Sequence, residues 1–324
     1  MEYLPEFRVH RPATVAEAVS LRAREADAAY LSGGTDMVVN IRRGIERPSA
    51  LIDLTAVADL NRIWTDAAGL HIGAAAPLGD VAAHADIARD YPAVAEAAGE
   101  VAGPTHRAYG TVGGNLCLDT RCIYYNQSEW WRESNNYCLK HRGAVCHVAP
   151  GGSRCWAAFS GDVAPALLVH DATVELVGPD GARTIDLAEL YRDDGMDHLT
   201  LKPGELLSTV HVPKPAARLP SAYAKSRIRG SIDFPLAGVA IGLRMEKGVV
   251  ADLRVAVTAV NPYPHRIDGT EAFLNKPMDA AALDKLREMV RTQSRPMHTT
   301  TTAPWYRRRV VGALARRLAE RLSR

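Results

Sequence analysis

Apolar and polar positions follow two rhythms along this chain, and the places where one gives way to the other mark its elements. Thr14-Val-Ala-Glu17 has the form of a capping box, and Ala16, Val19 and Leu21 beyond it supply part of an apolar helical face, so a helix is expected to start there. Ala29-Tyr-Leu31 reads as a short buried strand, stopped by Ser32-Gly-Gly-Thr-Asp36 and followed by the apolar run Met37 to Ile41; Leu51-Ile-Asp-Leu54 reads as a second strand after Pro48. Strand, glycine-rich turn, helix and strand within about 25 residues describe a small parallel unit.

Alanine-rich helical pattern runs through Val81 to Ala85 and Ala93 to Val101 and ends near Gly103-Pro104. A second glycine turn, Gly110-Thr-Val-Gly-Gly-Asn115, follows. Further on, Val163 to Leu168 is expected to be helical, Ala172 to Val177 alternates as a strand, and Pro179-Asp-Gly181 closes a hairpin to Thr184-Ile185. Pro213-Lys-Pro-Ala-Ala-Arg-Leu-Pro220, with three prolines in eight residues, can neither continue a helix nor pair inside a sheet and is read as a linker. Beyond it, Val239 to Arg244 and Leu253 to Val260 read as antiparallel strands around Lys247-Gly248, and Ala280 to Val290 and Val310 to Leu322 as helices. The expected fold is α+β: a first domain over 1–213, with a small parallel βαβ part and a larger mixed or antiparallel part, then a smaller sheet-plus-helices domain over 214–324.

Charge adds mainly exclusions. With 39 basic and 37 acidic residues among 324, a net charge of +2 provides no field to draw nucleic acid or a membrane surface. Met1-Glu-Tyr-Leu-Pro-Glu-Phe7 lacks a basic segment followed by an apolar core, and no run approaches the ~18 apolar residues of a spanning helix, so a cytoplasmic location is expected. Arg307, Arg308, Arg309, Arg316, Arg317 and Arg321 on the last helix read as a solvated basic face.

Gly33-Gly-Thr-Asp36 sets two residues without Cβ between a strand and a helix, so free N–H groups and the helix dipole face whatever sits there, which favours a phosphate. Gly110 to Asn115 repeats this physics, with Thr111 and Asn115 as side-chain donors, and two such loops suit a diphosphate. Neither is a G-x-G-x-x-G fingerprint or a P-loop, which disfavours a Rossmann nicotinamide site and an NTPase.

Together with Phe7-Arg-Val-His-Arg-Pro12, Leu31-Ser-Gly-Gly-Thr-Asp36, Leu51-Ile-Asp-Leu54, Leu70-His-Ile-Gly-Ala74, Gly110 to Asn115, Ser160-Gly-Asp-Val-Ala-Pro-Ala-Leu167, Tyr223-Ala-Lys225 and Val257-Thr-Ala-Val-Asn-Pro262, in this order, the chain resembles the FAD-binding medium subunits of the molybdenum hydroxylases, the xanthine dehydrogenase family. The resemblance runs along nearly the whole chain. It implies that Leu31, Ser32, Gly33, Gly34, Thr35 and Asp36, with Gly110, Thr111, Gly114 and Asn115, hold FAD at its diphosphate and neighbouring sugar groups. It also implies that Asp162 and Lys225 lie by the flavin ring and that Leu207, in Glu205-Leu-Leu-Ser208, is an apolar contact. On the residues alone, Asp162 could equally cap the helix beginning at Val163, and Lys225 could be an exposed strand residue.

All five cysteines fall between Cys117 and Cys155, in a stretch that also holds Trp130, Trp131 and Trp156, three of the five tryptophans. About 40 residues separate Asn115 from Ser160, where subunits of this family pass across within a few, so residues 117–158 are read as an insert. Cys117 falls at a family position often held by a small residue or cysteine and is expected to be a packed thiol. Cys122, Cys138, Cys146 and Cys155, separated by fifteen, seven and eight residues, could converge on one centre. By spacing and chemistry this set suits a structural zinc ion or an iron–sulfur cluster equally. Five Lys or Arg against two Glu between Arg121 and Cys155 would partly offset a cluster's negative charge, and Tyr124, Tyr125, Trp130, Trp131, Tyr137 and Trp156 could form an apolar shell. His141 and His147 read as surface or outer neighbours rather than ligands.

An extra four-cysteine loop in such a subunit resembles the flavin subunits of 4-hydroxybenzoyl-CoA reductases, whose insert holds a [4Fe-4S] cluster. That resemblance implies an electron relay with no catalytic acid, base or nucleophile on this chain. Electrons from ferredoxin would pass through the cluster and FAD to [2Fe-2S] clusters on a small partner subunit and a molybdenum cofactor on a large one, in a dimer of heterotrimers that removes a phenolic hydroxyl during aromatic degradation. The alternatives are a conventional molybdenum hydroxylase subunit with a structural zinc loop, and a docking scaffold without cofactor.

Overall fold

Thr14 caps the helix Val15–Arg24 as its sequence predicts: its hydroxyl accepts the Glu17 N–H at 3.2 Å, while the Glu17 carboxylate reaches back to the Ala13 N–H at 2.8 Å, one residue before the cap. The computed structural model describes residues 4–214 and 218–324. In it this helix covers a three-stranded sheet in which Ala50–Asp53 lies between Arg8–His10 and Ala28–Leu31, all parallel. The strand–turn–helix–strand unit is therefore present, with Met37–Arg42 as its helix.

A five-stranded antiparallel sheet follows, in the order Ile63–Thr65, Gly69–Gly73, Leu206–Pro213, Thr173–Gly178, Gly181–Asp186. Its core is completed by helices Leu78–Ala83, Pro92–Glu100 and Val163–Leu168. The expected helix Val81 to Ala85 is cut at His84, whose ψ of 120° is extended, and Ala85–Asp90 forms a separate helix.

The third sheet, His265–Arg266, Val249–Thr258, Ala237–Glu246 and Ser221–Ser226, is antiparallel and sorts its residues by face. Val239, Ile241, Val255 and Val257 pack under helices Ala280–Gln293 and Pro304–Leu322; Tyr223, Ala240 and Ala256, one cross-strand row on the opposite face, join the core of the five-stranded sheet. Two residues along, Lys225, Gly238 and Thr258 form the next row on that face, and Thr258 Oγ1 donates to Gly161 O at 2.9 Å. The sheet thus lies against Gly161-Asp162.

The architecture is the expected α+β one, with three corrections. The last helix begins at Pro304, six residues before the apolar pattern starts, because proline suits the first helical position and its first turn carries Trp305 and Tyr306 outward. Arg307 is not on a solvated face: it is 1% exposed and donates to the carbonyls of Leu236, Met297 and Ala259 and to Thr299 Oγ1. The linker read over Pro213 to Pro220 starts one residue too early, since Pro213 ends the strand Leu206–Pro213 opposite Gly69, and it falls partly on 215–217, outside the described residues. No helix among the described residues is long and apolar enough to cross a membrane.

Candidate functional site

The two glycine turns meet. A Cβ on Gly33 would lie 1.8 Å from Tyr109 O, and one on Gly113 would lie 2.7 Å from Ala74 Cβ, so neither backbone could come as close with any other residue. Gly34 adopts φ +70°, the left-handed region that turns the chain into helix Met37–Arg42. Between and above them opens a cleft of about 580 Å³, within the range of small-molecule sites. Its walls include Ser32, Gly33, Gly34, Thr35, Asp36, Gly110, Thr111, Gly114, Asn115, Asp162 and Leu207.

Two residues named from the sequence are not on these walls. Leu31 packs behind the first turn, its Cδ1 3.6 Å from where a Gly34 Cβ would be, and Lys225 stands behind Asp162. The second turn is less open than its sequence suggests: Val112–Leu116 is a one-turn helix, with Thr111 Oγ1 accepting the Gly114 N–H at 3.2 Å. Asn115 Oδ1 accepts the Val163 N–H at 3.0 Å, which leaves its amide NH₂ as the donor end.

Asp162 sits where a helix cap would, yet its side chain makes no capping bond. Its carboxylate instead accepts Tyr223 OH at 2.6 Å and Lys225 Nζ at 3.1 Å, and both members of the ion pair are almost wholly buried. Burial pushes the Asp162 carboxyl up to about 6 against the pull of Lys225, and burial pushes the Lys225 ammonium down. Lys225 is therefore no exposed strand residue. Tyr223 lies two residues before Lys225 on one strand, and that spacing is the sequence signal that both face one way. Ile232, Asp233 and Phe234, from the segment after strand Ser221–Ser226, also line the cleft and had no signal in the sequence. Ser32 Oγ on the cleft wall is buried without a partner, as is Asn40 Oδ1, although Asn40 Nδ2 donates to Asp36 Oδ2 at 3.0 Å, so these two oxygens are free to meet a ligand.

The four insert cysteines also come together. Cys122, Cys138, Cys146 and Cys155 are all buried and border one small cavity with Tyr124, Tyr125, Lys140, His147, Val148 and Ala157. Tight backbone sets them there. Asn136 and Tyr137 take φ of 57° and 55°, and Gly143 passes so close to Cys138 that a Cβ would lie 2.8 Å from its nitrogen. Burial pushes the Cys122 thiol up to about 12 and the Cys155 thiol up to about 11, opposed in each case by a nearby backbone N–H. Among the described residues, no group of three or more His, Cys, Asp or Glu side chains is placed to hold a metal ion.

The expected shell and charges are partly redirected. Trp130 is 72% exposed and belongs to no shell. His147 borders the cavity and is bound at Nε2 to Tyr137 O at 2.5 Å, while His141 Nε2 is buried without a partner. Cys117, expected to be packed, does pack against the core of the five-stranded sheet while bordering the cleft, and burial pushes its thiol up to about 12. Of the five cations, Arg121 pairs with Asp36 and stacks over Phe234 at 4.8 Å, both on the cleft. Arg132 donates to the carbonyls of Gln127 and Arg43 and to Glu129. Arg142 pairs with Glu129, and Arg154 with Asp193.

Cleft and cage are neighbours along the chain. Cys117, Leu118, Asp119 and Arg121 line the cleft, and Cys122 lines the cage.

Residues 5–215 match the family model described as "FAD binding domain in molybdopterin dehydrogenase", and residues 221–322 that of the "CO dehydrogenase flavoprotein C-terminal domain". The chain is 34% identical over 286 residues to the aldehyde oxidoreductase FAD-binding subunit PaoB of Escherichia coli (strain K12), a match covering 83% of this chain and 86% of that one. It is 26% identical over 318 residues to the carbon monoxide dehydrogenase medium chain of Afipia carboxidovorans, covering 97% and 96%. A solved structure of a Cu,Mo-CO dehydrogenase in its cyanide-inactivated form superposes with a TM-score of 0.81 at 24% identity over 99% of both chains, a likeness of fold.

Proposed function

The chain belongs to the FAD-binding family of molybdopterin dehydrogenases, and on that premise we propose that it is an electron-transfer subunit holding FAD in the glycine-walled cleft and a [4Fe-4S] cluster in the thiol cage. Bound there, FAD supplies two-electron and one-electron exchange and the cluster one-electron exchange, linking an outside carrier to a molybdenum site on a partner subunit. The observation that carries this reading is the six-residue segment Cys117 to Cys122, which borders both cavities.

The chain's residues fit both groups. Backbone at Gly33, Gly34, Gly110 and Gly114 can approach a diphosphate closely, with Ser32 and Thr35 hydroxyls and the Asn115 amide as side-chain donors; Leu31 supports the turn from behind. Asp162, held by Tyr223 and Lys225, and Leu207 would orient the ring. Four buried thiols around one space supply the ligand set of a cluster, and the resemblance of the four-cysteine insert is what favours a cluster over zinc. The ligands would be Cys122, Cys138, Cys146 and Cys155.

Two directions of flow follow from different observations. The 34% identity to an aldehyde oxidoreductase subunit favours oxidation on a molybdenum-bearing large partner, with electrons passing a [2Fe-2S] small partner and leaving through this chain. The four-cysteine insert favours the role in 4-hydroxybenzoyl-CoA reductase, with ferredoxin as donor and benzoyl-CoA as product. Incubating the purified complex with an aldehyde, or with reduced ferredoxin and 4-hydroxybenzoyl-CoA, decides between them by which turns over.

Metal and flavin analysis tests the cofactors. About four iron and one FAD per chain are expected, and Cys138→Ser should lower the iron while leaving FAD unchanged. One zinc and no iron, or full iron in Cys138→Ser, would remove the cluster assignment.

A further inference from the structure

The insert's basic residues do not share one role. Arg121 is directed to Asp36 on the cleft, Arg132 is fixed by carbonyls and Glu129, and Arg142 and Arg154 pair at the surface. Lys140 alone among the five borders the thiol cavity, and its side chain is 5% exposed.

Lys140 Nζ donates to Asp119 Oδ1 at 2.5 Å, to Gly195 O at 2.9 Å, to Thr120 O at 3.4 Å and to Thr120 Oγ1, and it lies 4.6 Å from the centre of the Tyr125 ring. Thr120 Oγ1 is itself fixed as an acceptor for Lys140, because its proton goes to Gly195 O at 2.5 Å. With three protons and four acceptors, the ammonium is fixed in place against the Tyr125 ring, which borders the cage. Asp119, its counter-charge, faces the other way, onto the cleft wall. A charge pair thus stands between the two cavities, Asp119 on the cleft wall and the stem of the buried Lys140 on the cage wall, and at the buried lysine charges act at a lower effective dielectric than in water.

We propose that Lys140 sets the reduction potential of the cluster in the cage, an inference that rests on the iron–sulfur reading above. Adding one electron to four thiolates and their irons raises the site's negative charge by one. A cation fixed at the Tyr125 ring, on the border of the cage, stabilises that extra charge and raises the potential, and Asp119 opposes it. No bond forms or breaks and no proton moves at Lys140. The electron comes from, or goes to, the flavin site or the outside carrier. Lys140 acts through charge alone.

A purely structural Lys140, pinning the insert to Gly195 and Thr120, would leave the potential where it is. The test is a redox titration of the iron-loaded complex followed by the electron paramagnetic resonance of the cluster, with iron per chain and melting temperature measured alongside. Lys140→Met should lower the reduced-to-oxidised ratio at a fixed potential by about tenfold, which for a one-electron couple is about 59 mV. Asp119→Asn should move it the opposite way, and Lys140→Arg should restore most of the wild-type value. Unchanged potentials at full iron content, or shifts of the same sign in Lys140→Met and Asp119→Asn, would overturn the inference while leaving the cluster in place. If Lys140→Met loses its iron, Asp119→Asn decides alone, an upward shift supporting the inference and any other result overturning it. Absence of iron from the wild-type complex would overturn both the cluster reading and the role given to Lys140.

Discussion

Gly33 and Gly114 look interchangeable in the sequence, each in a glycine pair at a turn, and the structure gives them opposite tasks. The Cβ of Gly33 would run into a carbonyl oxygen at 1.8 Å, so Gly33→Ala must part the two turns from each other. A Cβ on Gly114 would meet only Thr111 Oγ1, at 3.1 Å, and otherwise points toward open cleft. Gly33→Ala should therefore destabilise the fold by about 1–3 kcal/mol, as overpacking does. Gly114→Val should melt within a few degrees of wild type yet lose most of its FAD. Melting curves and flavin released on denaturation check this; a Gly114→Val protein with full FAD would take that residue out of the site. Chain spacing showed that both turns were tight, but which glycine presses on backbone is decided by the partner segment, which no local pattern reveals. The same limit explains Leu31, named from its motif and found behind the wall. It also explains Tyr223, whose role exists only because strand Ser221–Ser226 crosses over Asp162.

The insert shows that limit at the scale of an element. Its cysteines were conspicuous, and their convergence on one cavity was legible as a possibility from residue type alone. Its architecture was not, because side chains bonded to backbone hold it rather than an apolar face with a period. Arg132 is the main example: fully buried, it donates to Gln127 O at 2.6 Å and Arg43 O at 3.0 Å, tying helix Glu129–Ser134 to the body of the first domain. In the sequence it was one more positive charge in a basic stretch. Arg132→Met should leave the Gln127 and Arg43 carbonyls unpartnered, with Glu129 keeping Arg142 and Tyr137, and destabilise the insert by about 2–4 kcal/mol. The loss should be local. Limited proteolysis should cut within 117–158 well before the rest of the chain, with FAD retained; equal resistance in variant and wild type would show that other contacts, such as Ile123 N–H to Thr299 O at 2.9 Å, carry the insert.

Across the whole molecule, the prolines between 213 and 220 marked where the chain passes from one sheet to the next, but not how tightly those sheets are joined. The joint includes a titratable group. His170 Nε2 lies 3.0 Å from Ser221 Oγ, the hydroxyl that also accepts the Ala93 N–H at 3.2 Å, and the His170 ring meets Tyr91 edge-on at 5.2 Å. Strand Ser221–Ser226, helix Pro92–Glu100 and the end of helix Val163–Leu168 are thus linked through a neutral imidazole. Burial, reinforced by Arg254, pushes His170 down to about 4. A base whose folded value is depressed binds its proton more readily when unfolded, so its stability is complete above the ordinary histidine value of about 6.5 and is lost as pH falls toward 4. The shift of 6.5 to about 4 corresponds to about 3 kcal/mol at most. His198 and His265 are also pushed down by burial and add to the same acid sensitivity, so His170 is isolated by difference. Urea unfolding at pH 7 and pH 5 should show a smaller acid loss for His170→Gln than for wild type, by up to one proton's worth of slope. Equal losses would mean that the joint stays closed with His170 charged. The closure matters because Asp162 and its partners Tyr223 and Lys225 come from opposite sides of this joint, so acid that loosens it would also release the Asp162 end of the cleft.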